Sequence, residues 1–529
     1  MAMVMRLMLL FISFSSIFHP AVSKKSSSNI TWWCSKTPHP EACDYYTSQS
    51  RHHFAPRHMS EFRQMTIQLA MERALNAKNH VLQFRSNCEN QHQKAAWSDC
   101  LKLYDNTVLQ MNRTLQGLES NKTCTDFDAQ TWLSAALTNI QTCESGSMDL
   151  NVSDFINAII ISNNLTQLLS NSLAINGVFV KQENTSYTGG FPSWLSLQGR
   201  KLLQSSSLTF KAKANLVVAK DGSGNYRTIQ AAIDAAATRK GTARFIIYVK
   251  KGVYMENIEV GLNNNNIMLI GDGMRSTIIT SSRSVNGGYT TYSSATAGID
   301  GSGFIARDIT FRNGAGPSKG QAVALRSASD LSVFYRCAIQ GYQDTLMVHS
   351  QRQFYRECYI YGTIDFIFGN AAVVFQNCLI YVRRPLKGQA NVITAQGRND
   401  PFQDTAITIH NSKILAASDL KPVVQAFKTY LGRPWMQYSR TIIMKTYLDS
   451  LVSPLGWSPW AVESSFALDT LYYGEYKNSG PGSSTKWRVK WKGFHVLTSS
   501  ATAARFTVGS LIAGRSWLPS TGVPFTSGL

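Results

Sequence analysis

A chain of 529 residues is too long for one ordinary core, and 44% hydrophobic with 16% charged residues excludes a disordered or fibrous protein. Fifty-two Lys and Arg against 32 Asp and Glu give a formal net charge of +20. The surplus is uneven: 17 basic against 14 acidic residues up to position 204, and 35 against 18 beyond it, so a long-range positive field belongs to the C-terminal part.

The N-terminus carries a targeting signal over residues 1–23. Arg6 precedes an apolar run from Leu7 to Phe18, and Ala21-Val22-Ser23 supplies the small residues of a cleavage site. Twelve apolar residues are short for a bilayer span and no later stretch is apolar enough, so a secreted chain without a stable membrane anchor is expected. Asn-x-Ser/Thr sequons at Asn29, Asn112, Asn121, Asn151, Asn164 and Asn184 all precede residue 205. Cys34, Cys43, Cys88, Cys100, Cys124 and Cys143 are disulfide candidates in an exported chain. No CxxC pair or clustered His accompanies them, so no metal site is expected. The charge surplus, with no nucleic-acid motif beside it, points to an acidic polysaccharide and away from nucleic acid.

Residues 24–181 read as a helical domain. In AQTWLSAALTNIQTC, Trp132, Leu133, Ala136, Leu137 and Ile140 recur at three- and four-residue steps, the pattern of one buried helix face. SDFINAIIISNNLTQLLSNSLAI repeats it, with Ser153 or Asp154 as N-cap. Nothing in this bundle has a catalytic pattern. Residues 182–214 form a Gly/Ser/Pro-rich linker containing GRKLLQ at 199–204, where the Arg200-Lys201 pair followed by Leu202-Leu203 marks a processing site.

Residues 215–529 change texture to short β-rich runs such as FIIYVKKGVY and FIARDITFRN, an all-β domain. Phe334–Ile339, Tyr355–Ile360 and Phe375–Ile380 align with one another, with Cys337, Cys358 and Cys378 spaced by 21 and 20 residues, and Ile305–Thr310 and Ile409–Ile414 echo them. One short strand per twenty-residue repeat describes a coil of stacked parallel strands, a β-helix. Equivalent positions then lie about 4.8 Å apart, within disulfide reach for two of the three cysteines.

Seven residues past the first two cysteines stand Asp344 and Asp365. Stacking places their carboxyls side by side, where both cannot easily ionise, so the pair titrates as a unit with one proton held. A pair of turn-capping aspartates satisfies the spacing almost as well. Gln343 and the flanking Phe366 and Phe368 favour a site, supplying an amide donor and apolar walls.

At these residues the sequence resembles plant pectin methylesterase, the carbohydrate esterase of cell-wall homogalacturonan. GVYMEN at 252, QAVALR at 321, GYQDTL at 341, DFIFGN at 365 and LGRPW at 431 stand in the family's order. The resemblance implies a right-handed parallel β-helix that acts without a cofactor. The N-terminal part, with WWCSKTPHPEAC, resembles the pectin methylesterase inhibitor fold, an all-α four-helix bundle, and GRKLLQ resembles the family's subtilase processing site. Together they imply a secreted, zymogen-like, monomeric plant cell-wall precursor. Its partners would be methyl-esterified homogalacturonan, a processing protease and a proteinaceous methylesterase inhibitor. Carried over by motif, Asp365 is the nucleophile and Asp344 the proton donor and later base. Gln343 and Gln321 stabilise the oxyanion, Arg433 orients Asp365, and Trp435 and Thr291 contact substrate. The resemblance pairs Cys358 with Cys378, Cys34 with Cys43 and Cys100 with Cys143, leaving Cys337 a buried thiol and Cys88 with Cys124 a remainder. Met347 departs from the Tyr usual after QDTL. His349 lies near Asp344, but no Gly-x-Ser-x-Gly elbow supports a Ser-His-Asp esterase. The alternatives are a β-helix pectin depolymerase and a non-catalytic inhibitor-like wall protein.

Overall fold

The computed structural model describes residues 30–49, 56–119, 123–160, 164–180 and 211–529. The expected signal segment 1–23, the sequons at Asn29, Asn121 and Asn184, and the processing segment 199–204 lie outside the described residues.

The N-terminal part is helical: α1 (Pro40–Gln49), α2 (Met59–Gln83), α3 (Gln91–Leu118), α4 (Asp126–Asp149), α5 (Ser153–Ile160) and α6 (Leu165–Gly177). Helices α2, α3, α4 and α6 pack as the bundle, burying Leu103, Tyr104, Met111, Leu133, Leu137, Ile140 and Leu173 between them. A disulfide between Cys34 and Cys43 closes the entry to α1, and one between Cys100 and Cys143 ties α3 to α4. Helix α4 starts on a capping box, in which the Thr125 hydroxyl accepts from the Asp128 N–H and Asp128 accepts from the Thr125 N–H at 2.9 Å. The 153–175 pattern resolves into two helices, and the first begins at Ser153, one or two positions before an N-cap at Ser153 or Asp154 would allow. Of the described sequons, Asn151 and Asn164 are exposed and Asn112 is half-buried.

The C-terminal part is a parallel β-helix of three sheets with eleven, seven and eight strands, every ladder pairing parallel. The repeat seen in the sequence is its coil. Phe334, Tyr355 and Phe375 are in register, their rings stacked at 4.6 and 4.7 Å inside the coil. The residue before each cysteine, Arg336, Glu357 or Asn377, occupies the left-handed backbone region, so the same tight corner recurs and sets the coil length. Helix α7 (Ile229–Ala237) turns Ile229, Ala232, Ile233 and Ala236 inward as part of the core.

The three stacked cysteines correct one expectation. Cys337, Cys358 and Cys378 are separate buried thiols, and Cys358 is not bridged to Cys378. Cys358 Sγ and Cys378 Sγ are instead directed at main-chain carbonyls of the preceding coil, Phe334 O (3.2 Å) and Tyr355 O (3.6 Å), and Cys337 Sγ at Tyr335 O on its own coil (3.6 Å). Cys88 and Cys124 are also free.

The seven-stranded sheet carries the site. Its strands are β1 (Ile258–Val260), β2 (Ala297–Ile299), β3 (Leu325–Ser327), β4 (Leu346–Val348), β5 (Ile367–Gly369), β6 (Asn391–Gln396) and β7 (Thr429–Gly432), neighbours in that order. Arg326, Met347, Phe368 and Ala395 form one cross-strand row. The bundle lies over this row: its core merges into one apolar cluster with Tyr292, Val323, Met347, Phe368, Ala395 and Trp435.

Candidate active site

Asp344 and Asp365 each precede a strand of this sheet by two residues. Because Leu346 pairs with Ile367 and the Asp344 N–H donates to Ile364 O at 3.0 Å, the aspartates stand level on adjacent coils. Both occupy left-handed backbone corners, with φ of 58° and 49°. Both are buried, 8% and 6% exposed, so neither is a solvated turn cap.

Arg433, just past β7, grips Asp365 from two sides. Nε donates to Oδ1 at 2.9 Å and to Oδ2 at 3.2 Å, and a terminal nitrogen donates to Oδ2 at 2.6 Å. The guanidinium lies 4.4 Å from the Trp460 ring and donates to its carbonyl at 3.2 Å. Burial raises the Asp365 pKa, and the hydrogen bonds and charge of Arg433 oppose that rise. At Asp344 burial again leads, but the carboxylates of Asp365 and Asp149 add to it, and its pKa stands well above the ordinary carboxylate range. Both carboxyls are thus pushed up, Asp344 the more strongly because it faces two carboxylates while Arg433 bonds Asp365.

The other expected residues gather around this pair. The Ala322 N–H donates to Gln343 O at 3.3 Å, which sets Gln321 and Gln343 on adjacent coils, and among the described residues neither side-chain amide has a hydrogen-bond partner. Trp435 meets Phe368 edge-on at 5.9 Å and closes over Gly397, where a Cβ would lie 2.7 Å from the indole. Met347 is buried under the bundle against these residues. His349 takes no part in a triad: its ring nitrogens meet Thr142 of α4 at 2.8 Å and Ser350 at 3.1 Å.

Thr291 shows what the sequence reading missed. Its N–H donates to Asp149 at 2.8 Å, placing the last residue of α4 in the site. Burial raises the Asp149 pKa, opposed by its bonds to the Thr291 N–H and hydroxyl. Further links hold the bundle down. Lys102 of α3 bonds Glu259 at 2.6 Å and Asp300 at 2.9 Å, beside the fully buried Arg326–Asp300 pair. Asp128 of α4 pairs with Arg352 at 2.6 Å, and Trp132 donates to Asp330 at 3.0 Å. No sequence signal marks these as contacts, because each partner lies more than 150 residues away in the chain. Among the described residues no group of three or more His, Cys, Asp or Glu is arranged to hold a metal, and no helix is long and apolar enough to cross a membrane.

Comparison with known proteins agrees with this arrangement. The family described as Pectinesterase matches residues 215–515, and that described as Plant invertase/pectin methylesterase inhibitor matches 28–175. The chain is 63% identical over 515 residues to "Probable pectinesterase/pectinesterase inhibitor 33" of Arabidopsis thaliana, covering 95% of this chain and 86% of that protein. It is 55% identical over 504 residues to "Pectinesterase 2" of Citrus sinensis, covering 95% and 96%. Among solved structures, "Pectin methylesterase from Carrot" superposes with a TM-score of 0.59 at 57% identity, covering 98% of that chain and 60% of this one. The match over residues 215–515, preceded by the inhibitor-type match over 28–175 and joined by relatives more than half identical along almost the whole chain, places this chain in the pectinesterase family.

Proposed function

We propose that the chain is a secreted cell-wall esterase that removes methyl groups from homogalacturonan through an acyl-enzyme on Asp365. The observation that carries this reading is the two-sided Arg433 contact to Asp365 beside Asp344, a buried carboxyl whose pKa burial and two neighbouring carboxylates push up. Asp365, kept ionised by Arg433, attacks the ester carbonyl carbon. The tetrahedral oxyanion forms near the unpartnered amides of Gln321 and Gln343, neutral donors already in place before charge develops. As the C–O bond breaks, Asp344 gives its proton to the departing methoxide, releasing methanol. Asp344, now a carboxylate, takes a proton from water as that water attacks the mixed anhydride, which frees the galacturonate carboxylate and restores both aspartates. Trp435 offers a flat apolar wall to a sugar ring.

The same reading makes the bundle a covering domain. Asp149 blocks Thr291 and adds a negative charge beside the acid pair, so the uncut chain is a poor esterase. Cleavage at the Arg200-Lys201-Leu202-Leu203 segment by a processing protease then opens the site, and the freed esterase acts as a monomer. A separate inhibitor protein of the bundle's type would cover the same face.

The test is product identity with the isolated 211–529 domain on highly methyl-esterified pectin. Methanol release without chain shortening is expected, abolished in Asp365→Asn with pectin binding retained. Shortened or unsaturated oligomers from the parent enzyme would replace the esterase with a depolymerase, and substantial turnover in Asp365→Asn would remove that residue from its role.

A further inference from the structure

One part of the interface lies beyond the acid pair and its glutamines. His349, Asn370 and Gln403 follow strands β4, β5 and β6 on the β-helix, are 1–2% exposed, and all bond to α4. The Thr138 hydroxyl donates its proton to Ser134 O at 2.9 Å, and the Thr142 hydroxyl donates to Thr138 O at 2.9 Å. Their oxygens are therefore acceptors toward the β-helix. Asn370 Nδ2 donates to Thr138 Oγ1 at 2.9 Å, Gln403 Nε2 donates to Ser134 O at 3.0 Å and to Thr138 Oγ1 at 3.2 Å, and His349 Nε2 donates to Thr142 Oγ1 at 2.8 Å.

The β-helix itself fixes Asn370 and Gln403 as donors, and the Thr142 hydroxyl, already donating to Thr138 O, leaves His349 Nε2 as the donor to it. Asn370 Oδ1 accepts from Gln396 at 3.0 Å and from the Thr405 hydroxyl, and Gln403 Oε1 accepts from the Asn399 N–H at 3.3 Å. Ser350 occupies His349 Nδ1, and burial keeps the imidazole neutral, with its pKa pushed down to about 3. Asn370 and Gln403 thus have their acceptor ends tied inward and their N–H groups aimed outward, whatever covers them. The row also borders a small void of about 10 Å³ lined by Met347, Gly369, Gly397 and Trp435.

Three buried, neutral, preorientated donors would be left unpartnered when α4 departs, which is costly unless a ligand or water replaces the threonine oxygens. We propose that His349, Asn370 and Gln403 form a further binding row for galacturonan, contacting its hydroxyl and ring oxygens, and that α4 occupies this row in the precursor by presenting hydroxyl oxygens in place of sugar oxygens. The inference rests on the esterase reading for the identity of the polysaccharide. From Thr138 to Asp149 the helix advances about 16 Å, so a ligand that engages both the row and the acid pair must be an oligomer.

The test uses the 211–529 domain carrying Asp365→Asn, so that ligand is bound and not turned over. Calorimetry compares a long, fully methyl-esterified oligogalacturonate with the methyl ester of a single galacturonic acid. Asn370→Asp and Gln403→Glu keep the shape and the inward acceptor but remove the outward donor, and His349→Phe removes the third. Each is expected to weaken the long ligand about three- to tenfold more than the short one, the effect of losing one hydrogen bond, with the thermal midpoint of the domain unchanged. In the precursor, Thr138→Val should loosen the bundle without altering the isolated domain. Equal affinity for the long ligand in all three folded variants would overturn the row. A parent enzyme that binds the oligomer in a row-dependent way yet releases no methanol would overturn the esterase reading and leave the row standing.

Discussion

Replacing Arg433 by Ala in the 211–529 domain removes the cation facing Asp365 and leaves a 6%-exposed carboxylate with burial as the main influence on its pKa. The contacts at 2.6, 2.9 and 3.2 Å put the charges about 4 Å apart centre to centre, worth about 4 kcal/mol at the effective dielectric of a partly buried site. Arg433 keeps 24% of its side chain in solvent, which reduces that to about 3 kcal/mol. The sign follows from the direction: Asp365 must be ionised to attack, Arg433 holds its pKa down, and removal lets it climb. The ascending limb of methanol release against pH should therefore move up. Below the new limb, turnover falls by roughly a hundredfold, and above it much of the loss is recovered. Arg433→Lys, which keeps charge but loses the two-pronged grip, should shift the limb less. A variant whose activity falls by the same factor at every pH would show that Arg433 acts through position alone, and an unmoved limb would remove the electrostatic argument for Asp365 as nucleophile.

Two further outcomes concern the cover. Asp149→Ala in the uncut chain removes the bond to Thr291 and one charge beside Asp344, and should raise methanol release by the uncut chain roughly tenfold, the value of one charge-assisted hydrogen bond; release no higher than that of the uncut parent would mean that α4 does not gate the site. Asp99, which accepts from the Thr290 hydroxyl, has its pKa raised by burial to about 6, so its contribution to stability is present below about pH 4 and lost as pH rises through about 6. Asp99→Asn should match the parent chain near pH 4 and exceed it by about 3 kcal/mol at pH 7 in denaturant unfolding; comparing the two chains at each pH cancels the opposite trend from His349 and His410, whose buried neutral rings lose stability as pH falls. A difference that does not grow with pH would place Asp99 in solvent.

The coil was legible because its period is written in residues that must recur. A parallel ladder needs the same inward aromatic and the same corner in every turn, so Phe334, Tyr355 and Phe375 and the corners at 336, 357 and 377 repeat at twenty-residue steps. That register also carried the acid pair, since a residue two places before each paired strand start cannot escape its neighbour. The cysteine pairing was not legible by the same logic. Stacking brings Cys358 and Cys378 within reach, but reach does not fix where a sulfur points, and both are directed at carbonyls of the coil before.

What the sequence concealed most completely was the second face of α4. Its Leu133, Leu137 and Ile140 announce a buried stripe, and the polar residues among and beyond them, Ser134, Thr138, Thr142 and Asp149, carry no periodic mark of burial. Periodicity separates apolar from polar but cannot separate polar and solvated from polar and paired, because a threonine that bonds an asparagine 232 residues away looks like any surface threonine. The distinction lies in composition. A solvated face collects Lys and Glu, whereas from Ala129 to Thr142 this helix carries no charge on any face, with charge only at its ends: Asp126 and Asp128 at the start, then Glu144 and Asp149 at the close. A polar, uncharged stripe of short hydroxyl side chains with an acid at its end meets the buried imidazole and amides of the β-helix and the Thr291 N–H, which is why one helix can both complete the bundle and pack on the sheet that carries Asp344 and Asp365.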